Sequence, residues 1–442
     1  MKRGNTLQII ETLARGKDTP ATPIPAIDVL KGLSMFVVWY VHFSWAWHDS
    51  SWTALFRFSW YLLDVLGPSM FVVLSVIGNM AGYVARSNGT GKLTITRRKA
   101  VKASFLFIYG ECINLFFLWR LGWFHLSGWN VITTIALFSI LLPYMLRLRA
   151  RTRIAIAATI LICYYPLALW VSAVLASRGI TPATIQLESF MDPVVAIYWF
   201  FLCQAMMTPL FPWIAVPLIV SVVFERFIKI HVSGDRASII KELKRVALMG
   251  IVLVVSGIGF GLYPMMDFNG GAMIELFTPG TIFTYPFSTG IVAFLVRHAP
   301  QYLCYNTGCA AILFSIISHV HLRKPDLRHS PDPLKTFGRL SLTAFLLSHA
   351  GLLIPITMPM DTFFWIFVPL VAGVVLMFYL WGTRWREVGS LEWLMGFYTN
   401  ATMFGLEYVD KKRQDRQDHG KTPRATPGRH DGEIDHVPAH AS

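Results

Sequence analysis

A hydrocarbon core about 30 Å thick takes roughly 20 apolar helical residues to cross, and this chain offers a run of that kind again and again. Ten spans are expected: Ala26 to Trp47, Trp60 to Val84, Val101 to Trp119, Val131 to Leu146, Ile154 to Leu175, Phe211 to Ile228, Val246 to Tyr263, Leu303 to Val320, Leu340 to Ile356 and Thr362 to Trp381. Of the 442 residues, 54% are apolar and 14% charged, where a soluble domain carries about 25% charged residues. A string of soluble domains is therefore excluded. The expected fold is all-α, one polytopic transmembrane helical bundle over residues 26–406. A short N-terminal segment, 1–25, precedes it, and a disordered tail, 407–442, follows.

The formal net charge of +14 is explained by where the charges lie. Of the 39 Lys and Arg residues, all except Arg57, Arg120, Arg178 and Arg297 fall before the first span, in alternate intervals or in the tail, with Lys31 just inside the first span. Such intervals face the cytoplasm, so both termini are expected there and the number of crossings is even. The basic excess then needs no nucleic acid, and none is expected as a partner.

The apolar stretch from Val194 to Phe224 is interrupted by Pro209, Pro212 and Pro217. Two crossings there would move every later basic interval outside, so one span is expected, preceded by residues lying at or dipping into the outer face. Ser390 to Gly405, with Trp393, Phe397, Tyr398 and Phe404, suits a helix on the inner surface. The first 25 residues lack the apolar core of a removable signal peptide, and the first span is expected to direct insertion. The Cys residues (Cys112, Cys163, Cys203, Cys304, Cys309) show no paired spacing, so neither a disulfide framework nor a metal site is expected.

Ionisable groups inside spans are costly and tend to mark function. The first two spans concentrate them: Asp28, Lys31 and His42, then His48 and Asp49 at the outer end, then Asp64. Lys31 and His42 are eleven positions apart, which on a helix leaves an offset of about 20° and an axial separation of about 16 Å. A cation near the inner surface and an imidazole near the outer one thus share a stripe, and Asp28 can pair with Lys31 on that face. A long ligand could bridge them, its phosphates held by Lys31 and by Arg97, Arg98 and Lys99, its reactive end at the histidines. An acyl-CoA has that shape. A histidine there can take a proton from an incoming hydroxyl or amine, or accept the acyl group itself, while Asp64 holds the imidazole tautomer. Each residue also has a plainer role. An intramembrane His serves as a helix-to-helix hydrogen-bond donor, a Lys snorkels, and a run such as Arg97 to Lys99 sets topology. Spacing alone leaves the choice open.

The run Ile27-Asp28-Val29-Leu30-Lys31-Gly32, followed by an apolar helix and His42, resembles the opening of the heparan-α-glucosaminide N-acetyltransferase family and its bacterial relatives, which belong with the acyltransferase-three transmembrane enzymes. Lys31 and His42 fit the basic residue, ten intervening positions and His of that wider group, with Lys in place of the commoner Arg. His48-Asp49-Ser50-Ser51-Trp52 resembles the segment bearing the acetyltransferase's active histidine, with one residue inserted. Asp64 and Gly67-Pro68-Ser69-Met70-Phe71-Val72 resemble the pattern on the next helix. Phe211-Pro212-Trp213, Gly338-Arg339-Leu340-Ser341-Leu342-Thr343 and Gly389-Ser390-Leu391-Glu392-Trp393-Leu394 resemble later landmarks. In the N-acetyltransferases the position of His42 is Asn and the later His is catalytic, whereas acyltransferase-three enzymes use the earlier one; this chain has both.

The resemblance implies an acyltransferase of the plasma membrane that takes an acetyl or other acyl group from cytosolic acyl-CoA, the donor substrate, to a sugar or glycan acceptor on the far side. It implies His48 first and His42 second as catalytic base or acyl carrier, Asp64 as the orienting carboxylate, and Lys31, Arg97, Arg98 and Lys99 as donor contacts. Membrane lipid is the other expected partner, and homo-oligomerisation is left open. The competing reading is a secondary transporter or lipid-linked glycan flippase, which also uses intramembrane charges and Pro-broken segments; it predicts two related halves, and none is visible. A noncatalytic membrane scaffold is the third reading.

Overall fold

The computed structural model describes residues 24–47, 49, 59, 61–90, 95–121, 129–180, 185, 187–202, 209–262, 264–265, 291–296, 299–324, 326 and 332–419. They form helices α1 (Pro25–Trp47), α2 (Pro68–Thr90), α3 (Arg97–Leu121), α4 (Val131–Arg147), α5 (Ala150–Ser177), α6 (Pro193–Ile197), α7 (Leu210–Trp213), α8 (Ala215–Ser233), α9 (Arg236–Phe260), α10 (Pro300–Arg323), α11 (Pro333–Arg339), α12 (Ser341–Leu352), α13 (Met360–Arg384) and α14 (Leu391–His419). One two-residue antiparallel pairing joins β1 (Pro264–Met265) to β2 (Ile291–Val292). Caps and prolines start several helices where the sequence places them. Asn130 closes a capping box on α4 with Thr133, Asp235 caps α9, and Asp332 caps α11 ahead of Pro333.

Among the described residues, seven helical stretches are long and apolar enough to cross a bilayer: Pro25–Ser44, Tyr61–Ser87, Ala150–Ala176, Leu210–Val232, Arg236–Phe260, Pro300–Arg323 and Met360–Arg384. The chain thus has the character of a multi-pass, helical membrane protein. Three of the ten expected runs fall on other helices. α4 and α12 are apolar but shorter, with 17 and 12 residues, and α3 spreads its apolar run over a helix that opens with Arg97, Arg98 and Lys99. The Pro-broken stretch resolves into a short apolar helix, Pro193–Leu202, and one longer span, Leu210–Val232.

Polar contacts gather the basic helix ends at one end of the bundle. Arg153 at the start of α5 pairs with Glu225 near the end of α8. Arg226 and Arg245 flank Glu242 at 2.8 and 3.1 Å, tying α8 to α9, and Arg236 donates to the Leu322 carbonyl of α10 at 2.6 Å. Close backbone approaches lock other pairs. A Cβ on Gly250 would lie 2.8 Å from the Gly308 carbonyl oxygen, so α9 and α10 meet where only hydrogen fits.

Between α13 and α14 the chain turns through left-handed backbone at Arg386 (φ 49°), Glu387 (φ 67°) and Gly389 (φ 85°). Two non-glycine residues there cost about 1–3 kcal/mol each. The turn is held by Arg339 to Glu387 at 3.0 Å and by the Trp381 indole donating to the Val388 carbonyl at 2.8 Å. It delivers Glu392 to the start of α12. α14 then runs on to His419, well past Gly405 and into the segment expected to be a disordered tail.

Candidate functional site

Helix α1 is unbroken from Lys31 to His42, so the shared stripe and the axial separation of about 16 Å follow from helical geometry. At the Lys31 end the ammonium lies over the Phe71 ring, 5.8 Å from its centroid, and makes no hydrogen bond or ion pair among the described residues. Asp28 and Glu392 are the acidic charges around it. Glu392 itself is committed to α12: its carboxylate accepts the Thr343 N–H at 3.3 Å and the Thr343 hydroxyl at 2.6 Å, as well as the Leu342 N–H. Burial holds the Glu392 carboxyl above the ordinary carboxylate range, against the opposing pull of those donors.

At the other end, His42 Nδ1 is 3.1 Å from the Ser348 hydroxyl on α12, and its ring meets the His349 ring edge to face, 4.5 Å between centroids. Ser348 is fully buried and donates to the Phe345 carbonyl at 2.7 Å. With that hydrogen engaged, its oxygen accepts from His42 Nδ1–H, which makes Nε2 the basic nitrogen of His42. His349 Nδ1 lies 2.8 Å from the Phe345 carbonyl oxygen, which can only accept, so His349 carries its hydrogen on the same ring position. Two imidazoles with assigned tautomers are thus packed edge to face.

His48 lies outside the described residues. Its neighbours are anchored: Met358 N–H donates to the Trp47 carbonyl at 2.7 Å, and Asp49 N–H donates to the Met358 carbonyl at 3.0 Å. Asp64 sits at a break in the second span. A tight turn, Asp64–Leu66, interrupts the helix before α2, and the buried Asp64 carboxylate accepts from the Tyr302 hydroxyl of α10. The Arg97 to Lys99 cluster diverges. Arg97 points outward to an exposed ion pair with Asp410 of α14, whereas Lys99 turns inward, donating to Asn79 at 2.9 Å and lying 5.4 Å from the Tyr83 ring centroid. The stripe between Lys31 and His42 is tightly packed: Ser34 and Met35 are 0% exposed and Val38 4%. A bridging ligand must open it.

His349, Ser348 and Tyr302 are absent from the sequence reading. The rule that singled out His42, an imidazole inside an apolar helix, applies equally to His349 in Leu346-Leu347-Ser348-His349-Ala350. Tyr302 gives no such signal, because only the fold brings it to Asp64.

No protein-family model matches the chain, and neither a curated protein nor a solved structure matches it.

Proposed function

We propose that this protein is an integral-membrane acyltransferase, moving an acetyl or other acyl group from cytosolic acyl-CoA to a sugar or glycan on the opposite side of the plasma membrane. The observation that carries the reading is the contact of His42 with His349 and Ser348 of α12, His42 lying on the same helix as the Lys31 ammonium that sits over the Phe71 ring. In this scheme His42 Nε2 removes the proton from the acceptor as it attacks the thioester carbonyl, and the proton then passes to the leaving thiolate of CoA. His48, ranked first on the sequence, is proposed here as the alternative base or acyl carrier, and Asp64 acts from the neighbouring span. Lys31 meets donor phosphate, with Arg97, Arg98 and Lys99 proposed as further donor contacts. Donor entry has to part the packed Ser34, Met35 and Val38 stripe.

The topology of the proposal is ten crossings with both termini cytoplasmic, α3, α4 and α12 joining the seven long spans. It is supported by the basic helix ends lying together. The test is transfer of labelled acetyl from acetyl-CoA to a glucosamine-type acceptor by the purified protein. Acceptor moving across a vesicle membrane with no acetyl-CoA consumed would replace this reading with transport.

A further inference from the structure

Beside the break in the second span lie buried polar atoms of Asn306 and Trp213. Asp64 is 2% exposed; its carbonyl accepts the Gly67 N–H at 2.9 Å and the Ser69 hydroxyl at 3.1 Å, and its carboxylate accepts from Tyr302. Asn306 stands one turn beyond Tyr302 on the same face of α10. One flank of α10 is closed by α9, where Gly308 meets Gly250 and Tyr305 meets Gly257. Asn306 is 2% exposed, yet neither its Oδ1 nor its Nδ2 has a hydrogen-bond partner among the described residues. Trp213 of α7, whose ring centroid is 6.5 Å from that of Tyr302, is 1% exposed, and its indole N–H is likewise unpartnered. Buried polar atoms are almost always paired, so orphaned atoms on two side chains beside the same tyrosine point to a ligand.

Their chemistry selects its charge. A cation would suit Asp64 and Asn306 Oδ1 but be repelled by the Asn306 amide hydrogens and the Trp213 N–H. An anion would suit those hydrogens but be repelled by Asn306 Oδ1. An uncharged hydroxyl both donates and accepts, so it serves the Asn306 amide and the Trp213 N–H together. We propose that Asn306 and Trp213 bind an uncharged hydroxyl group beside Tyr302, next to the break in the second span, supplied either by a solvent molecule or by a hydroxyl-bearing small molecule. The site does not depend on the acyl-transfer reading.

The experiment uses the full chain in a detergent without a sugar head group, comparing wild type, Asn306→Leu and Trp213→Phe by thermal unfolding with methyl glucoside, with sodium chloride and with choline chloride. No acyl-CoA is present, so its outcome is separate from that of the transfer assay. If a hydroxyl-bearing molecule is the source, methyl glucoside stabilises the wild type, its affinity falls about tenfold in either variant, and sodium and choline act alike. If solvent is the source, methyl glucoside stabilises none of the three, and a high-resolution map of the wild type shows an ordered oxygen within about 3.2 Å of Asn306 Nδ2 and Trp213 Nε1. Stabilisation by sodium but not choline overturns the proposal. So does glycoside stabilisation retained in both variants, or the absence of both glycoside stabilisation and the ordered oxygen. The map and the salt comparison need only wild-type protein, so a variant that fails to fold leaves the test intact.

Discussion

His42 and His349, 307 positions apart in the chain, meet edge to face with an interplanar angle of 82° and 4.5 Å between centroids. Ser348 fixes the pairing by accepting from His42 Nδ1 at 3.1 Å. Replacing His42 with Ala is expected to lower acyl transfer by about 10²-fold or more, the contribution of a positioned general base. Ser348→Ala removes one neutral hydrogen bond, about 1 kcal/mol, so a fall of roughly fivefold is expected, with a shifted pH profile because the tautomer is no longer set. Steady-state rates across pH, on protein of matched folded yield, check both. Unchanged activity in His42→Ala would move the chemistry to His48.

Glu392 supplies the side-chain cap that the first turn of α12 otherwise lacks, reaching it from α14. Glu392→Ala is expected to cost about 1–2 kcal/mol, read by thermal unfolding. The sign of the pH dependence follows from burial. A carboxyl held above its unfolded value contributes stability at acid pH, below that unfolded value, and loses it as pH rises through the folded one. The wild type should therefore lose stability relative to Glu392→Gln as pH rises from acid through the shifted value. A difference that grows in the opposite direction would show that the donors from Thr343 and Leu342 outweigh burial.

Much of the bundle was legible because hydrophobic runs report span length directly. Seven long helices coincide with expected spans, and Asn130, Asp235 and Asp332 announce helix starts by side-chain chemistry. At Asp64–Leu66 the expected span runs straight through Gly67-Pro68-Ser69, where the helix tightens and restarts; the contacts that hold this break, Ser34 with the Gly67 carbonyl and Tyr302 with Asp64, join distant parts of the chain. In the tail expected over 407–442, the polar composition gives no hint that α14 continues to His419, with Asp410 paired to Arg97 of α3. In the site, helical phase connected Lys31 with His42 on one element but could not tell that α12 would bring a second imidazole. It also grouped Arg97 with Lys99, two positions apart in sequence and facing different neighbours in the fold.

Close helix contact gives a sharp test of packing. A Cβ on Gly338 would collide with the Asp28 carbonyl oxygen, and one on Gly32 with that of Leu334, so α1 and α11 exclude even a methyl group. Gly338→Ala is expected to destabilise by about 1–3 kcal/mol or more, because backbone rather than a flexible side chain must yield. Gly373→Ala in α13, where nothing lies within 4 Å, should be neutral or gain up to about 1 kcal/mol from helix propensity. Equal unfolding temperatures for the two variants would contradict the packing.

The Arg153 and Glu225 pair predicts an asymmetry between its two halves. The Arg153 side chain is 3% exposed, and its Nε and Nη1 have no partner among the described residues, so its charge is met at Nη2 by Glu225. Glu225 is 24% exposed and also holds Lys229 at 2.5 Å. Glu225→Leu therefore strands a buried guanidinium and is expected to cost about 3–5 kcal/mol. Arg153→Met leaves a carboxylate that keeps Lys229 and some solvent, and should cost only about 1–2 kcal/mol. The double replacement removes both charges and should recover most of the loss, since an apolar pair of similar volume is often no worse than a buried ion pair. Chemical unfolding of all three variants checks the order; a larger penalty for Arg153→Met than for Glu225→Leu would mean that Glu225, not Arg153, depends on the pair.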